Sequence, residues 1–397
     1  MTVPTAVQLK PYEPSQTSAP ASSPGWRALP PELQETIGRR AATHDREGTF
    51  VADNYRALKD LRFFSAQIPA ELGGGAASYD DIALLLRSMA HACPSTALAV
   101  SMHQHLVGTM LWKWKNAGGS DALLKRVAAE QLVLVSTGAN DWLESNGTME
   151  RTDLNGGGYL LTATKRFASG SVAGDFALSS GAYTDPQRGE RVLHFVASLR
   201  GNGVSLMNDW DTSGMRGTGS NAIRFDRAFI PDAAITLDRP RGAFHPFFSV
   251  VLMVAMPMVM NVYLGIAERA AALALAGAGK GRKPDELTFQ LAGELERELT
   301  MCRLAVDDMM RLTNGREFKP DNDLSSQMLA RKAIAASTAI RTVEKAVELC
   351  GGSAFYRASE LERLMRDVRA AHYHPLPQKA QQRFTGRVLL GLDPISD

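Results

Sequence analysis

The sequence predicts an α+β chain in three parts: an N-terminal helical domain, a middle antiparallel, barrel-like β domain, and a C-terminal four-helix bundle. Three observations predict it. Apolar residues recur at helical spacing from Pro31 to about residue 130. The period then falls toward two, with β-branched and aromatic residues broken by glycine, as far as about residue 240. After Pro246 the chain returns to long helical runs. The expected divisions are a tail over 1–30 and domains over 31–130, 131–240 and 241–397.

The elements follow in chain order. Residues 1–30 scatter six prolines among Ser, Thr and Ala, a composition that buries too little apolar surface to offset its ordering entropy, so a flexible tail is expected. Pro31 suits a first helical turn, and Leu33, Ile37 and Ala41 continue on one face. Ile68 to Gly75 breaks the helices with a turn, and Asp80 to Ala92 resumes them through Ile82, Leu85, Leu86 and Met89. Expected strands are Gln131–Thr137, Tyr159–Phe167, Phe176–Tyr183, Val192–Leu199, Val204–Met207 and Ala222–Ile230. With no helices between them they cannot build βαβ units, which excludes a Rossmann domain and predicts antiparallel pairing. Helices are expected around 247–278, 284–314, 322–350 and 376–390.

Composition excludes several function classes. The 397 residues, 45% hydrophobic and 22% charged, suffice for one or two large cores. Lys plus Arg total 44 against 42 Asp plus Glu, a net charge of +2 without a basic block, so no nucleic-acid partner is expected. Cys93, Cys302 and Cys350 stand far apart with no ligand spacing, which argues against a disulfide framework or a zinc site and suits a reducing cytoplasm. Met1 to Pro14 lacks the basic and apolar regions of a secretory signal. Phe247 to Ala267 carries no charge and meets the length rule for a membrane span, yet Ser249, Pro257, Asn261 and Gly265 dilute it and its four methionines suit a buried core helix. No membrane association is expected.

From about residue 31 to 392 the order of motifs resembles the acyl-CoA dehydrogenase superfamily of flavoproteins. Ile68-Pro-Ala-Glu-Leu-Gly-Gly74, followed by a helix and Pro94-Ser-Thr-Ala97, resembles that family's N-terminal helical domain. Lys165-Arg-Phe-Ala-Ser169-Gly resembles the strand beside the flavin ring, and Gly214-Met-Arg-Gly-Thr-Gly-Ser220 before Phe225-Asp-Arg-Ala-Phe-Ile-Pro231 its last turn and strand. Glu348-Leu-Cys-Gly-Gly352 with Glu362-Arg-Leu-Met-Arg-Asp367 resembles the cofactor-contacting turn of the C-terminal bundle and the helix after it. The resemblance implies a flavin, FAD or FMN. Phe167 would cover its aromatic face, Ser169 would bond its edge, and Ser136 and Thr137 would meet its polar rim. The turn Gly138-Ala-Asn-Asp141 departs from the family's acidic, glycine-rich form. Gly351 and Gly352 would let the backbone approach the cofactor of a neighbouring subunit, which implies a homodimer or homotetramer.

The departures bear on chemistry. An acyl-CoA dehydrogenase needs a carboxylate to take the proton beside a thioester carbonyl. The family's usual base position falls on Pro375, and the alternative position near Ala255. The family's Arg-x-x-Phe-Gly segment is not recognisable near Gly281-Arg-Lys-Pro-Asp285, and Glu348 stands where a glutamine usually precedes Gly-Gly, which weighs against full-length FAD. The gaps resemble the superfamily's two-component monooxygenases, which take reduced flavin from a separate reductase, use O2, and need no carboxylate base. In that branch His374 matches a functional histidine, Ser169 a strand serine, and His103 or His105 a histidine of the N-terminal domain. The leading expectation is such a monooxygenase acting on a small hydrophobic or aromatic substrate, in a pocket lined by the helix from Phe247 to Ala267. The alternatives are an acyl-CoA dehydrogenase with its base at an unmatched position, such as Glu268 or Asp285, and a non-catalytic flavin- or acyl-binding assembly module.

Overall fold

The computed structural model describes residues 25–137, 144–278 and 283–395. Residues 1–24 of the expected tail, the Gly138 to Asp141 turn, and Gly281 and Arg282 lie outside the described residues. The chain opens with α1 (Pro31–Glu47), α2 (Ala52–Asp60), α3 (Tyr79–Ala92), α4 (Pro94–Ala117) and α5 (Asp121–Glu130). Local chemistry sets their ends. Proline occupies the first turn of α1 and of α4, and the Ser78 hydroxyl accepts the Asp81 N–H to cap α3. Between α2 and α3 the Gly73–Gly75 turn folds back on Ile68, where a Cβ on Gly74 would collide with the Ile68 carbonyl oxygen. That steric need accounts for the glycines without any ligand.

The middle section contains β1 (Leu134–Ser136), β2 (Thr148–Thr152), β3 (Gly158–Lys165), β4 (Phe176–Asp185), β5 (Gly189–Ser198), β6 (Val204–Leu206), β7 (Ile223–Pro231) and β8 (Ile235–Pro240). They form one sheet in the order β6-β7-β3-β2-β4-β5-β8, with β1 on β4. The expectation of a purely antiparallel sheet is corrected at two places, since β1 and β2 both meet β4 in parallel. The reason is topological: the β2–β3 hairpin intervenes in sequence between β1 and β4, so β1 joins β4 through a crossover rather than a tight turn. One face of the sheet buries Val135, Leu161, Phe195, Phe225 and Ile230 as its own core.

The C-terminal section contains α6 (Phe247–Ala278), α7 (Glu286–Thr313), α8 (Asn322–Cys350), α9 (Glu360–Val368) and α10 (Gln378–Leu389). Asp285 and Asp321 cap α7 and α8 by accepting the N–H groups of Thr288 and Leu324. The four long segments match the expected ranges within two residues, and the short α9 is added to them. α6 is the central element and packs against α3, α4, α7 and α8. Its Met253, Met256, Met258 and Met260 are each no more than 4% exposed, so the one described helix apolar and long enough to cross a membrane is a core helix. These methionines pack in the core of the fold.

Two motifs meet where the sheet joins the bundle. A Cβ on Gly214 would strike the backbone of Arg366, and the next residue, Met215, donates its N–H to the buried Asp367 carboxylate at 2.5 Å. Burial raises the Asp367 carboxyl to about 6. Arg366 grips Asp45 of α1, Glu362 of α9 and the Ser213 carbonyl, tying all three sections at one point.

Candidate active site

His374 follows a short helical turn after α9 and precedes Pro375, which disfavours helix at the residue before it. Its imidazole Nε2 lies 2.6 Å from the hydroxyl of Tyr263, a fully buried residue of α6. Lys332 of α8, 2% exposed, donates from Nζ to the His374 carbonyl at 2.8 Å and to the Leu376 carbonyl at 3.2 Å, holding the turn against the bundle. Burial, then the Lys332 cation, then His105 lower the His374 pKa to about 3, so the imidazole is neutral at neutral pH. Burial lowers Lys332 to about 8 and pushes the Tyr263 phenol well above its usual range. Tyr263 makes no other hydrogen bond among the described residues, so its O–H donates to Nε2 and the imidazole carries its proton on Nδ1.

His105, on α4, is 5% exposed, and burial lowers it to about 4. It acts electrostatically on His374, and His103 acts on it in the same way. Both ring nitrogens of His103 are bonded within the fold, however, and the expectation that it serves the site is corrected. Its Nε2 pairs with the Phe64 carbonyl at 2.7 Å and its Nδ1 accepts the Leu134 N–H at 3.0 Å, so one nitrogen joins α4 to the turn after α2 and the other to the start of β1. It is a satisfied core histidine.

The sheet presents a second group. Phe167, just past β3, is 56% exposed at a φ of 60°, and its ring meets Trp210 edge-on at 6.3 Å. An exposed aromatic in the left-handed region is costly unless it serves a contact. Ser169 joins a hydroxyl relay, 2.7 Å to Ser220 and from there 2.7 Å to Thr218. Thr137 is buried and its hydroxyl donates to Ser179 at 2.7 Å, which leaves that hydroxyl only as an acceptor beside its backbone, whereas Ser136 is half-buried. Gly351 and Gly352 have no heavy atom within 4 Å of where a Cβ would stand. Beside them lies an open cleft of about 260 Å³ flanked by Phe355, Arg366 and Arg369.

The described residues therefore divide between a neutral His374–Tyr263 pair with His105 in the helical sections, and an aromatic, hydroxyl-rich edge on the sheet. No hydrogen bond joins Ser169 to His374. Sequence reasoning missed Tyr263 and Lys332. Both left a trace: Tyr263 is a hydroxyl inside an otherwise apolar helix, and Lys332 is a cation centred on the stripe Met328, Leu329, Ala335, Ala336 and Ala339.

A helical–sheet–helical chain with this site is the architecture of a flavoprotein oxidoreductase, and the comparisons identify which. The chain matches "Acyl-CoA dehydrogenase, N-terminal domain" over residues 32–131 and "Acyl-CoA dehydrogenase, C-terminal domain" over residues 258–378. It belongs to the acyl-CoA dehydrogenase superfamily of flavin-dependent oxidoreductases. It is 23% identical to the dibenzothiophene monooxygenase of Mycolicibacterium goodii, across 88% of each chain. It is 24% identical to the cyclohex-1-ene-1-carbonyl-CoA dehydrogenase of Geobacter metallireducens, across 89% of this chain and 94% of that protein. Among solved structures it superposes with a TM-score of 0.82, at 26% identity, on KijD3 in complex with FMN and dTDP-3-amino-2,3,6-trideoxy-4-keto-3-methyl-D-glucose, covering 91% of this chain and 92% of that one.

The residues fit a flavin. The exposed Phe167 ring supplies a face, the Ser169 relay and the Ser136 and Thr137 backbone supply bonding partners for a heterocycle edge, and the bare Gly351–Gly352 backbone gives close approach.

Proposed function

We propose that the chain is an O2-using monooxygenase that acts on a small hydrophobic or aromatic substrate with reduced FMN or FAD supplied by a separate reductase. One observation carries this reading: the site holds a neutral imidazole bonded to a phenol where a dehydrogenase needs a carboxylate. Position 255 is a buried alanine and position 375 a proline. Of the two substitute bases, Glu268 is bound by Arg87, Arg303 and His91, and against the opposing effect of burial Arg87 and then His91 hold its carboxyl far below the usual range. Asp285 caps α7 through Thr288. The remaining buried carboxylate nearby, Asp367, is committed to Met215.

Bound reduced flavin supplies the two electrons that activate O2. The chain's own residues position and insulate. Phe167, Ser169, Ser136, Thr137, Gly351 and Gly352 would hold the cofactor. Tyr263 fixes the His374 tautomer, so that Nδ1–H is the donor available to a developing oxyanion, and His105 supplies a second neutral imidazole. The apolar α6 excludes water. Homo-oligomerisation, as a dimer or tetramer, is part of the reading. It is supported by exposed Phe355, Tyr356 and Tyr373, each more than 70% accessible near the bare glycine pair or the His374 turn.

The test is to reduce FMN or FAD anaerobically with the protein, admit ¹⁸O2 with an aromatic substrate panel, and examine products by mass spectrometry. Incorporation of one ¹⁸O atom is expected. Bleaching of bound oxidised FAD by an acyl-CoA without O2 would overturn the proposal in favour of the dehydrogenase. Neither reaction with any substrate would leave the assembly module.

A further inference from the structure

Helix α4 carries three buried polar atoms without partners, and all three lie on one face. They are His105 Nδ1, Thr109 Oγ1 and Trp112 Nε1. Their positions, i, i+4 and i+7, fall within a narrow arc and span about 10 Å along the axis. The lack of partners is local. Ser101, His103 and Gln104 of the same helix are equally buried, and each is bonded, to Leu98, to Phe64 and Leu134, and to Phe63 and Gln67 respectively. Nor does Thr109 make the usual threonine bond back to the carbonyl four residues earlier, which Thr313, Thr338 and Thr342 all make in other helices. Each buried group left unbonded costs about 1–3 kcal/mol, so three in register on one face point to an occupant that bonds them.

The face leads away from the proposed site. His105, its first rung, is the histidine that acts electrostatically on His374. Trp112, its last, is stacked on Phe318 at 5.9 Å and 18°, which fixes the direction of its N–H. α6 packs on α4 beside Gly108, where an added Cβ would lie 2.8 Å from Val254, and carries a fourth unbonded polar group, the Ser249 hydroxyl. An indole N–H only donates, so the occupant must offer an acceptor at that end. A threonine hydroxyl and a neutral imidazole serve donors or acceptors.

We propose that His105, Thr109 and Trp112 form a recognition ladder for oxygen functions on the substrate, which is therefore a ring compound carrying hydroxyl or carbonyl groups, not a bare hydrocarbon or thiophene. This rests on the monooxygenase reading for the meaning of "substrate". A site built to bond an oxygen discriminates strongly against the analogue that lacks it, because its own polar groups are then stranded.

The experiment compares 2,6-dihydroxynaphthalene with naphthalene and dibenzothiophene by isothermal titration calorimetry, all with saturating oxidised FMN. The unmodified chain, Trp112→Phe and Thr109→Val are titrated in parallel. The dihydroxy probe is expected to bind at least about tenfold more tightly than the other two. Each substitution should erode that preference about five- to tenfold while leaving naphthalene affinity unchanged. Equal binding of all three probes, binding of none, or loss of dihydroxynaphthalene and naphthalene affinity in the same proportion overturns the ladder. So does a rise in thermal stability of both variants with the preference intact, which would mark the groups as water-filled packing defects. The readout is independent of ¹⁸O incorporation. A chain that discriminates the probes yet incorporates no label keeps the ladder and loses the monooxygenase, and the converse result does the reverse.

Discussion

Replacing Lys332 with methionine separates holding the His374 turn from holding the fold. Two opposing contributions nearly cancel. The ammonium donates to two carbonyls, at 2.8 and 3.2 Å, and hydrogen bonds from a charged donor contribute about 1.5–3 kcal/mol each. Against this, burial lowers the group from 10.5 to about 8, a penalty of about 3 kcal/mol on the charged form at neutral pH. Methionine removes both, so Lys332→Met should change stability at pH 7 by no more than about 3 kcal/mol. The sign of the pH dependence follows from linkage. Between pH 8 and 10.5 the unfolded lysine holds a proton that the folded one has released, so the unmodified chain gains up to about 3 kcal/mol across that window, and the variant does not. At the site, His374 loses the second-largest cause of its depressed pKa, so its titration should move upward. The assays are urea midpoints at pH 7, 8.5 and 10, and ¹³C-histidine NMR titration with His374 assigned by His374→Gln. An unshifted His374 titration together with parallel stability curves would refute the assignment.

Other perturbations follow from the same geometry. His103 titrates at about 4 in the fold against 6.5 when unfolded, so its contribution is present above pH 6.5 and is lost as pH falls toward 4. Unmodified protein should lose about 2 kcal/mol more than His103→Asn between pH 7 and 5, measured by urea unfolding. Tyr263→Phe strands His374 Nε2 and frees its tautomer, and should cost about 1–3 kcal/mol while lowering turnover more than substrate affinity. Phe167→Ala removes a ring that is 56% exposed, so the melting temperature should hold while FMN affinity, followed by flavin fluorescence, falls several-fold. Gly214→Ala drives a methyl into the Arg366 backbone and should cost about 1–3 kcal/mol by thermal unfolding.

The helices were legible because their signals are local. Proline at the start of α1 and a continuous apolar period placed the long helices within a few residues, and the structure adds the same kind of local signal at Pro94, Asp285 and Asp321. Two strands were not. β2 reads Thr-Met-Glu-Arg-Thr and buries only Met149, while β8 ends in Asp-Arg-Pro at the sheet's edge, so neither shows a run of apolar alternation. The expected first strand was too long because Gln131, Leu132 and Val133 are buried by packing beside α4 and α5, which apolar character cannot distinguish from pairing. The parallel contacts of β4 are non-local and leave no mark at all.

The site shows the same division between residue and environment. Sequence nominated His374 ahead of His103 and His105 but could not separate the last two, because a histidine's role is set by what its nitrogens face. Two are answered by partners from other elements: Phe64 and Leu134 exhaust His103, whereas Tyr263 engages only one nitrogen of His374. The cofactor motifs were likewise legible singly and not as a pair. Gly214 lies against Arg366, and Met215 bonds Asp367, so the sheet turn and the helix after the bundle's glycine pair are two halves of one joint. The Phe167 edge belongs to the sheet on one side of that joint, and on the other side the His374 turn follows α9 and one short helical turn. A substitution at the joint is therefore expected to bear on both proposed halves of the site. The joint is also the place where a loss of coupling should appear as altered turnover before it appears as unfolding.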